Sequence, residues 1–227
     1  MQKSELKRFT KVYFIVKVIK KLLLARYPRI ISDLNLRYRA RNPKSINEKI
    51  LWKMAYDRRE FQILFADKYK VREYVMERIG PGYLTRIYHV LSPGDLIPWS
   101  ELPEEFVIKC THSSGGSVIV YSASDKRNLP RKLDSLNWGK YLVHPDRVER
   151  EKIQSFFDKL LKKSYANFSG FHEFAYSGIP PKLIVEELLK NHEGEIPNDF
   201  KFWCINGRVE LIQVDVSRFS NHQRLLL

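Results

Sequence analysis

Apolar and polar residues recur with two different periods along the chain, and these periods predict its elements. Residues 3–26 place apolar side chains at helical spacing and lysines on the opposite side, which predicts one amphipathic helix. Ser45, three residues before Glu48, forms a capping-box signature for a helix that begins at Ile46. The spacing predicts one more helix over residues 61–77, which ends before a Gly-Pro-Gly breaker.

Short apolar runs bounded by turn residues predict strands. Residues 106–110 and 118–121 are such runs, and they flank a Ser/Gly turn at residues 112–117. This order predicts a β-hairpin. The polar stretch at residues 125–170 shows helical patches, the clearest of them at residues 153–161.

The last third of the chain predicts a further strand and a second hairpin. Residues 183–189 follow a Pro-Pro pair and form an apolar run that contains two carboxylates. Asn206-Gly207 separates the apolar runs 200–205 and 209–216, and Asn-Gly between such runs is a strong hairpin signal. Helices followed by hairpins predict an α+β fold.

Charge is distributed unevenly. The chain has 227 residues, 44 % of them hydrophobic, which excludes an intrinsically disordered protein. Its net charge is +14. Residues 1–72 hold 20 Lys+Arg and 6 Asp+Glu, whereas residues 73–227 hold 20 of each, so the whole excess lies in the front third. We predict three regions: a basic helical segment (1–41), a helical region (42–105) and a β-rich domain (106–227).

Two interpretations of the basic helix at residues 1–26 stand side by side. Either it packs on the rest of the protein with its lysines in water, or it lies on an anionic membrane surface or polymer. No apolar window is long enough to span a membrane and no secretory cleavage site follows, so we predict a cytoplasmic protein, peripheral at most. No nucleic-acid-binding motif accompanies the charge, which argues against a specific nucleic acid partner.

Cysteine and tryptophan positions predict buried side chains. The two cysteines, Cys110 and Cys204, have neither disulfide-framework nor zinc spacing and are expected to be buried thiols. The tryptophans are expected in the core; they are Trp52, Trp99, Trp138 and Trp203.

The Ser/Gly turn is the first candidate for chemistry. Glycines let backbone N–H groups approach phosphate oxygens, although a tight turn without ligand explains the same residues. No Walker motif occurs. Lys109 ends the preceding strand, where its ammonium would reach the same phosphates. Asp67, Lys68 and Arg72 are expected together on the predicted helix 61–77.

Five strings in this order resemble the TupA-like ATP-grasp family over about residues 42–224. They are PKSINEKILWKMAYDRREF, ADKYKVREYVMERIG, LPEEFVIKCTHSSGG, PPKLIVEELL and DFKFWCINGRVELIQVDVSRFSNHQR. The resemblance implies an α+β, ATP-grasp-like fold that is incomplete. It implies an ATP-dependent ligase that joins a carboxylate to an amine through an acyl phosphate, in cell-surface polysaccharide synthesis. The implied partners are a nucleotide and a polysaccharide precursor or amino-acid substrate.

The resemblance also implies residue roles. Lysines and a lid turn would bind phosphates, a hinge would bind adenine through its main chain, and a late Asp-x-Lys pair would face the phosphates. These ATP-binding residues are Lys68, Lys109, Ser114, Gly115, Gly116, Glu186, Glu187, Leu188, Leu189, Asp199 and Lys201. The implied acceptor-binding residues are Arg218, His222 and Arg224. The first two lysines and the turn are expected to converge on one triphosphate.

The sequence departs from the family pattern at its end. The family binds Mg²⁺ through late acidic residues and an asparagine, but only Glu210 and Asp215 follow Lys201 here, and the Mg²⁺ ligands are absent. We expect either a fragment of a longer ligase or a shortened homologue that acts as a membrane-surface or anionic-polymer binding module. In both cases we expect little or no ligase activity from this chain alone, and an uncovered sheet edge near residues 209–216.

Overall fold

The computed structural model describes residues 37–38, 40–124, 133, 138–167, 173–217 and 221–227. The helix predicted over residues 3–26 lies outside this set. Chain contacts divide the protein into two units. The first unit is formed from 1–74, 112–114 and 163–180, and the second from 75–111, 115–162 and 181–227.

The first helix begins where the sequence predicts it. The Ser45 hydroxyl accepts the Glu48 N–H at 3.3 Å, and the Glu48 carboxylate accepts the Ser45 N–H at 2.9 Å. The helices are α1 (Ile46–Tyr56), α2 (Phe61–Ala66), α3 (Val71–Ile79), α4 (Arg150–Leu161) and α5 (Phe174–Ser177). None of these, nor any other helix in the described part of the chain, is long and apolar enough to cross a membrane.

The prediction of a single helix over residues 61–77 is wrong. Helix α2 ends at Ala66 and α3 begins at Val71. Between them, the carboxylate of buried Asp67 accepts the N–H groups of Tyr69 at 2.9 Å and Lys70 at 3.2 Å. An aspartate that binds the backbone just after itself competes with helical hydrogen bonding, and this interrupts the helix.

The second unit contains a mixed five-stranded sheet. In chain order its strands are β1 (Ile87–Leu91), β2 (Phe106–Cys110), β3 (Ser117–Val120), β4 (Lys140–Val143) and β5 (Leu183–Glu186). Their spatial order is β1-β5-β2-β3-β4. Strands β2 and β3 form the predicted antiparallel hairpin. Strand β4, which pairs parallel to β3, was not predicted, because the polar stretch that contains it suggested only helical patches.

The hydrophobic core of the second unit lies on this sheet. All four residues of β5 are buried, as expected for a strand with a neighbour on each side. Helix α4 packs against β2 and contributes Phe157 and Leu160, both 0 % exposed, while β2 contributes Ile108 at 0 %. This packing fixes the strand ends that carry the candidate site.

A separate three-stranded sheet is formed by β6 (Asp199–Ile205), β7 (Arg208–Val216) and β8 (Gln223–Leu226), in that spatial order. Asn206 and Gly207 adopt φ values of 51° and 79°, which a two-residue hairpin turn requires. The expected uncovered edge near residues 209–216 is wrong, since β7 pairs with β6 on one side and β8 on the other. The α+β class is confirmed.

Burial corrects several expectations about cysteine and tryptophan. Cys110 is buried as predicted, but Cys204 is exposed. Trp138 is 3 % exposed and belongs to the core, whereas Trp52 and Trp203 are 45 % and 43 % exposed. Both exposed tryptophans lie on a helix or strand that has an exposed face. The apolar character of a residue does not by itself determine whether it lies on the buried or the exposed face.

Candidate functional site

The glycine turn between β2 and β3 is held by backbone hydrogen bonds. The Cys110 N–H donates to the Gly116 carbonyl at 3.1 Å, and the Gly116 N–H donates to the Trp138 carbonyl at 2.8 Å. Gly116 has φ +67°, and a Cβ there would lie 2.8 Å from the Leu160 Cδ1. The turn therefore needs glycine for both its conformation and its packing.

In the first unit, two hydrogen bonds hold Ser113 and Ser114. The Lys68 ammonium donates to the Ser113 carbonyl, and Ser114 and Tyr165 hydrogen-bond through their hydroxyls. Lys68 lies in the connection between α2 and α3 rather than on a helix, which corrects its predicted setting. Tyr165 packs on Tyr176 with ring centroids 4.7 Å apart, and burial, above all, raises the pKa of Tyr176 to about 12.

In the second unit, Lys109 and Glu186 form an ion pair on adjacent strands. Lys109 lies opposite Ile184 and Glu186 lies opposite Val107, so the two are diagonal neighbours on one face of the sheet. Their side chains are 27 % and 7 % exposed. Thr85 Oγ1 donates to the second Glu186 oxygen at 3.1 Å. The structure thus joins two predicted site residues that the sequence left 77 positions apart.

The segment after β5 provides main-chain groups. The Glu187 N–H donates to the Arg86 carbonyl at 2.9 Å, so this N–H is not available to a ligand. Leu188 is buried, yet neither its N–H nor its C=O bonds to any residue that the structure describes. Backbone groups are normally paired inside a protein, so this donor and acceptor stand out among the groups after β5. Leu189 is 58 % exposed.

The three-stranded sheet gathers a second charged cluster around Asp215. Lys201 Nζ donates to Asp199 at 2.6 Å and to Asp215 at 2.5 Å, and Arg224 Nε donates to Asp215 at 2.8 Å. The Lys201 hydrogen bond, followed by that of Arg224, holds the pKa of Asp215 well below its usual range. Asp199, with Asp215, raises the pKa of Lys201. His222 Nε2 lies 3.4 Å from Asp215, and Arg218 lies outside the described residues.

Sequence reasoning missed Tyr165, Thr85 and Asp215 as parts of these arrangements. Tyr165 is 51 positions from Ser114 and Thr85 is 101 from Glu186, so no local pattern links them. Asp215 had one signal: it and Gln213 are polar residues at alternate positions in the otherwise apolar stretch 211–216. Polar residues at alternate positions share one face of a strand.

The acidic residues of the last sheet do not fit a divalent cation. Across the described residues, no group of three or more His, Cys, Asp or Glu side chains is placed to hold a metal ion. Asp199 and Asp215 have oxygens occupied by the Lys201 ammonium. Mg²⁺ prefers six oxygen ligands, and an ammonium group competes for the same carboxylate oxygens. These two aspartates are therefore better explained as partners of Lys201 than as metal ligands.

Comparison with known proteins gives one family. The family model described as TupA-like ATPgrasp matches residues 48–227. No curated protein and no solved structure matches the chain significantly.

Proposed function

Because the chain belongs to the TupA-like ATP-grasp family, we propose that it binds ATP and serves a reaction that joins a carboxylate to an amine during cell-surface polysaccharide synthesis, with little ligase activity of its own. One observation carries the nucleotide part of this proposal. The Lys109–Glu186 ion pair lies at the end of β5, and the chain leads from Glu186 directly to the open backbone of Leu188. The ammonium of Lys109 is thus paired with the residue two positions before Leu188, which supports a site that holds both the phosphates and the adenine of one nucleotide.

In the second unit, different residues would bind the adenine and the phosphates of ATP. The Leu188 N–H and C=O would pair with the adenine edge, and the Lys109 ammonium would donate to phosphate oxygens. The backbone at Gly115 and Gly116 would approach the phosphates, since no Cβ intervenes. In this chemistry the carboxylate attacks the γ-phosphorus of ATP and ADP leaves; the amine then attacks the acyl phosphate, loses a proton and displaces phosphate, which leaves the amide. The roles of Lys68 and Ser114, in the first unit, stay predictions.

Thermal unfolding of the purified chain tests nucleotide binding. ATP should raise the unfolding temperature, since a ligand that binds only the folded state stabilises it by mass action. Lys109→Ala should abolish the shift, whereas Lys159→Ala, which removes an exposed lysine from α4 of the same unit, should keep it. An ATP-induced shift of equal size in the Lys109→Ala chain would refute the proposed site.

The charge distribution favours a second activity, contact with an anionic surface. The whole net charge of +14 arises within residues 1–72, and the sequence pattern of residues 1–26 predicts lysines opposite an apolar face. Such a segment would hold a cytoplasmic ligase peripherally at the inner face of a membrane, where its precursor substrates are assembled. The partner is thus an anionic lipid surface.

Vesicle sedimentation separates this activity from nucleotide binding. The full chain should bind vesicles containing phosphatidylserine and lose binding when residues 1–26 are deleted. Lys109→Ala should bind vesicles as the wild type does. Equal sedimentation of the full and shortened chains would exclude residues 1–26 as the contact.

A further inference from the structure

The last sheet places five polar side chains on one face. Asp199 lies opposite Asp215, and Asp215 lies opposite Arg224. Lys201 lies opposite Gln213, one side-chain repeat further along. Directly paired residues, and residues two apart, share a face of an antiparallel sheet. The register therefore assembles this group without help from any other element.

Asp215 is the hub of the group. Its side chain is 4 % exposed, and it accepts hydrogen bonds from Lys201 at 2.5 Å, Arg224 at 2.8 Å and Gln213 at 3.0 Å. His222 Nε2 lies 3.4 Å from the same carboxylate. A single buried acid thus positions two permanent cations from the flanking strands.

Asp215 binds both cations, yet the side chains of Lys201 and Arg224 remain accessible to solvent. Arg224 uses its Nε for Asp215, and the structure shows no contact from its terminal guanidinium nitrogens to any residue it describes. The Arg224 side chain is 56 % exposed and the Lys201 side chain 40 %. A guanidinium fixed through Nε presents its terminal N–H groups as a planar fork, which matches a carboxylate or a phosphate.

We propose that Asp215 is a positioning residue that presents Lys201 and Arg224 to a substrate oxyanion, a carboxylate or a phosphate. This inference rests on the proposed function, in which the substrate presents a carboxylate before activation and the phosphate of an acyl phosphate after it. Asp215 does not touch the substrate in this arrangement. It acts through the two cations, which would diverge and lose their shared orientation without its charge.

A double-mutant cycle on the full chain tests the inference. The probes are inorganic phosphate and, separately, acetate, each titrated in NMR experiments that report the bound fraction. Arg224→Ala should weaken probe binding about tenfold, since it removes a charge-assisted pair. Asp215→Asn should weaken binding to a similar degree, and the double variant should be no weaker than Arg224→Ala alone. Loss with phosphate or with acetate identifies the group that the site holds.

The controls separate positioning from structural and net-charge effects. Glu210→Gln removes one acid from an exposed position of the same strand and should leave probe binding unchanged. Should Asp215→Asn not fold, Asp215→Glu keeps the charge, displaces both cations by one methylene, and takes its place with the same expected loss. Additive losses in the double variant, or wild-type probe affinity in the Asp215 variant, would overturn the inference.

The outcome is independent of the nucleotide experiment. If ATP raises the unfolding temperature but substitution of Asp215 leaves probe affinity unchanged, only this inference is refuted. A chain that ATP does not protect, but whose probe binding shows the coupling, refutes the proposed function and retains the oxyanion site. Absence of probe binding in the wild type refutes the site itself.

Discussion

Removing the Lys109 ammonium should destabilise the second unit, because it leaves Glu186 as a buried charge without its cation. The Glu186 side chain is 7 % exposed, and Thr85 remains as a neutral donor at 3.1 Å. Breaking a buried ion pair by removing one partner costs about 3–5 kcal/mol. Since the Lys109 side chain is 27 % exposed and its own desolvation is incomplete, we expect about 3 kcal/mol for Lys109→Ala.

A second substitution should recover part of this loss. Glu186→Gln in the Lys109→Ala background replaces the carboxylate that has lost its ammonium by a neutral amide of the same shape. We expect the double variant to regain about 2 kcal/mol, since leaving a charged group unsatisfied costs more than removing both partners. The corresponding coupling energy is of a size that contacting residues show.

Urea unfolding followed by both tryptophan fluorescence and circular dichroism measures these free energies. Coincidence of the two signals checks that one transition is observed. Lys159→Ala, an exposed lysine on α4, should change the free energy of unfolding by no more than about 0.5 kcal/mol. A Lys109→Ala chain as stable as this control, or a double variant less stable than Lys109→Ala, would refute the ion-pair reasoning.

Three further predictions concern other parts of the chain. Lys190, above all, lowers the pKa of Glu105 from 4.5 to about 2, so this carboxylate stabilises the fold above pH 4.5 and the contribution disappears as the pH falls towards 2. Glu105→Gln should therefore flatten the acid side of the urea midpoint against pH, and an unchanged slope would contradict it. Gly116→Ala should cost about 1–3 kcal/mol in urea unfolding, because φ is positive and Leu160 is in the way, whereas Gly82→Ala, with open space around it, should be nearly neutral; equal effects would be inconsistent with the turn geometry. Ser45→Ala should cost about 1 kcal/mol of unfolding free energy by removing the α1 cap, and no loss would show that the cap is dispensable.

Elements defined by neighbouring residues could be predicted from the sequence. The α1 cap depends on Ser45 and Glu48, and the last hairpin turns at Asn206 and Gly207. In both, the residues that determine the conformation lie within three positions of each other. Such signals are complete in the sequence because no distant partner decides the outcome.

Features that depend on distant partners could not be predicted. Strand β4 (Lys140–Val143) is defined by pairing with β3, and its own sequence is a short mixture of apolar and polar residues. The Lys109–Glu186 pair depends on the position of β5 between β1 and β2 in the sheet. Hydrophobic periodicity predicts strands but not their order in a sheet. The break at Asp67 is an intermediate case, since an aspartate can either continue a helix or bind the backbone after it.

The sequence distributes its positive charge in two ways, which suggest two different uses. Residues 73–227 contain 20 basic and 20 acidic residues, and the candidate cations Lys109 and Lys201 each have a carboxylate partner in the second unit. If the proposed function holds, an incoming phosphate or carboxylate must match the geometry of a lysine that is already neutralised, and we expect such a site to select by shape more than by attraction. The basic front third has 20 cations against 6 acids, and such an excess attracts any polyanion over a distance set by the salt concentration. We therefore expect attraction and selection to belong to different parts of the chain, so that deletion of residues 1–26 and substitution of Lys109 should affect different assays.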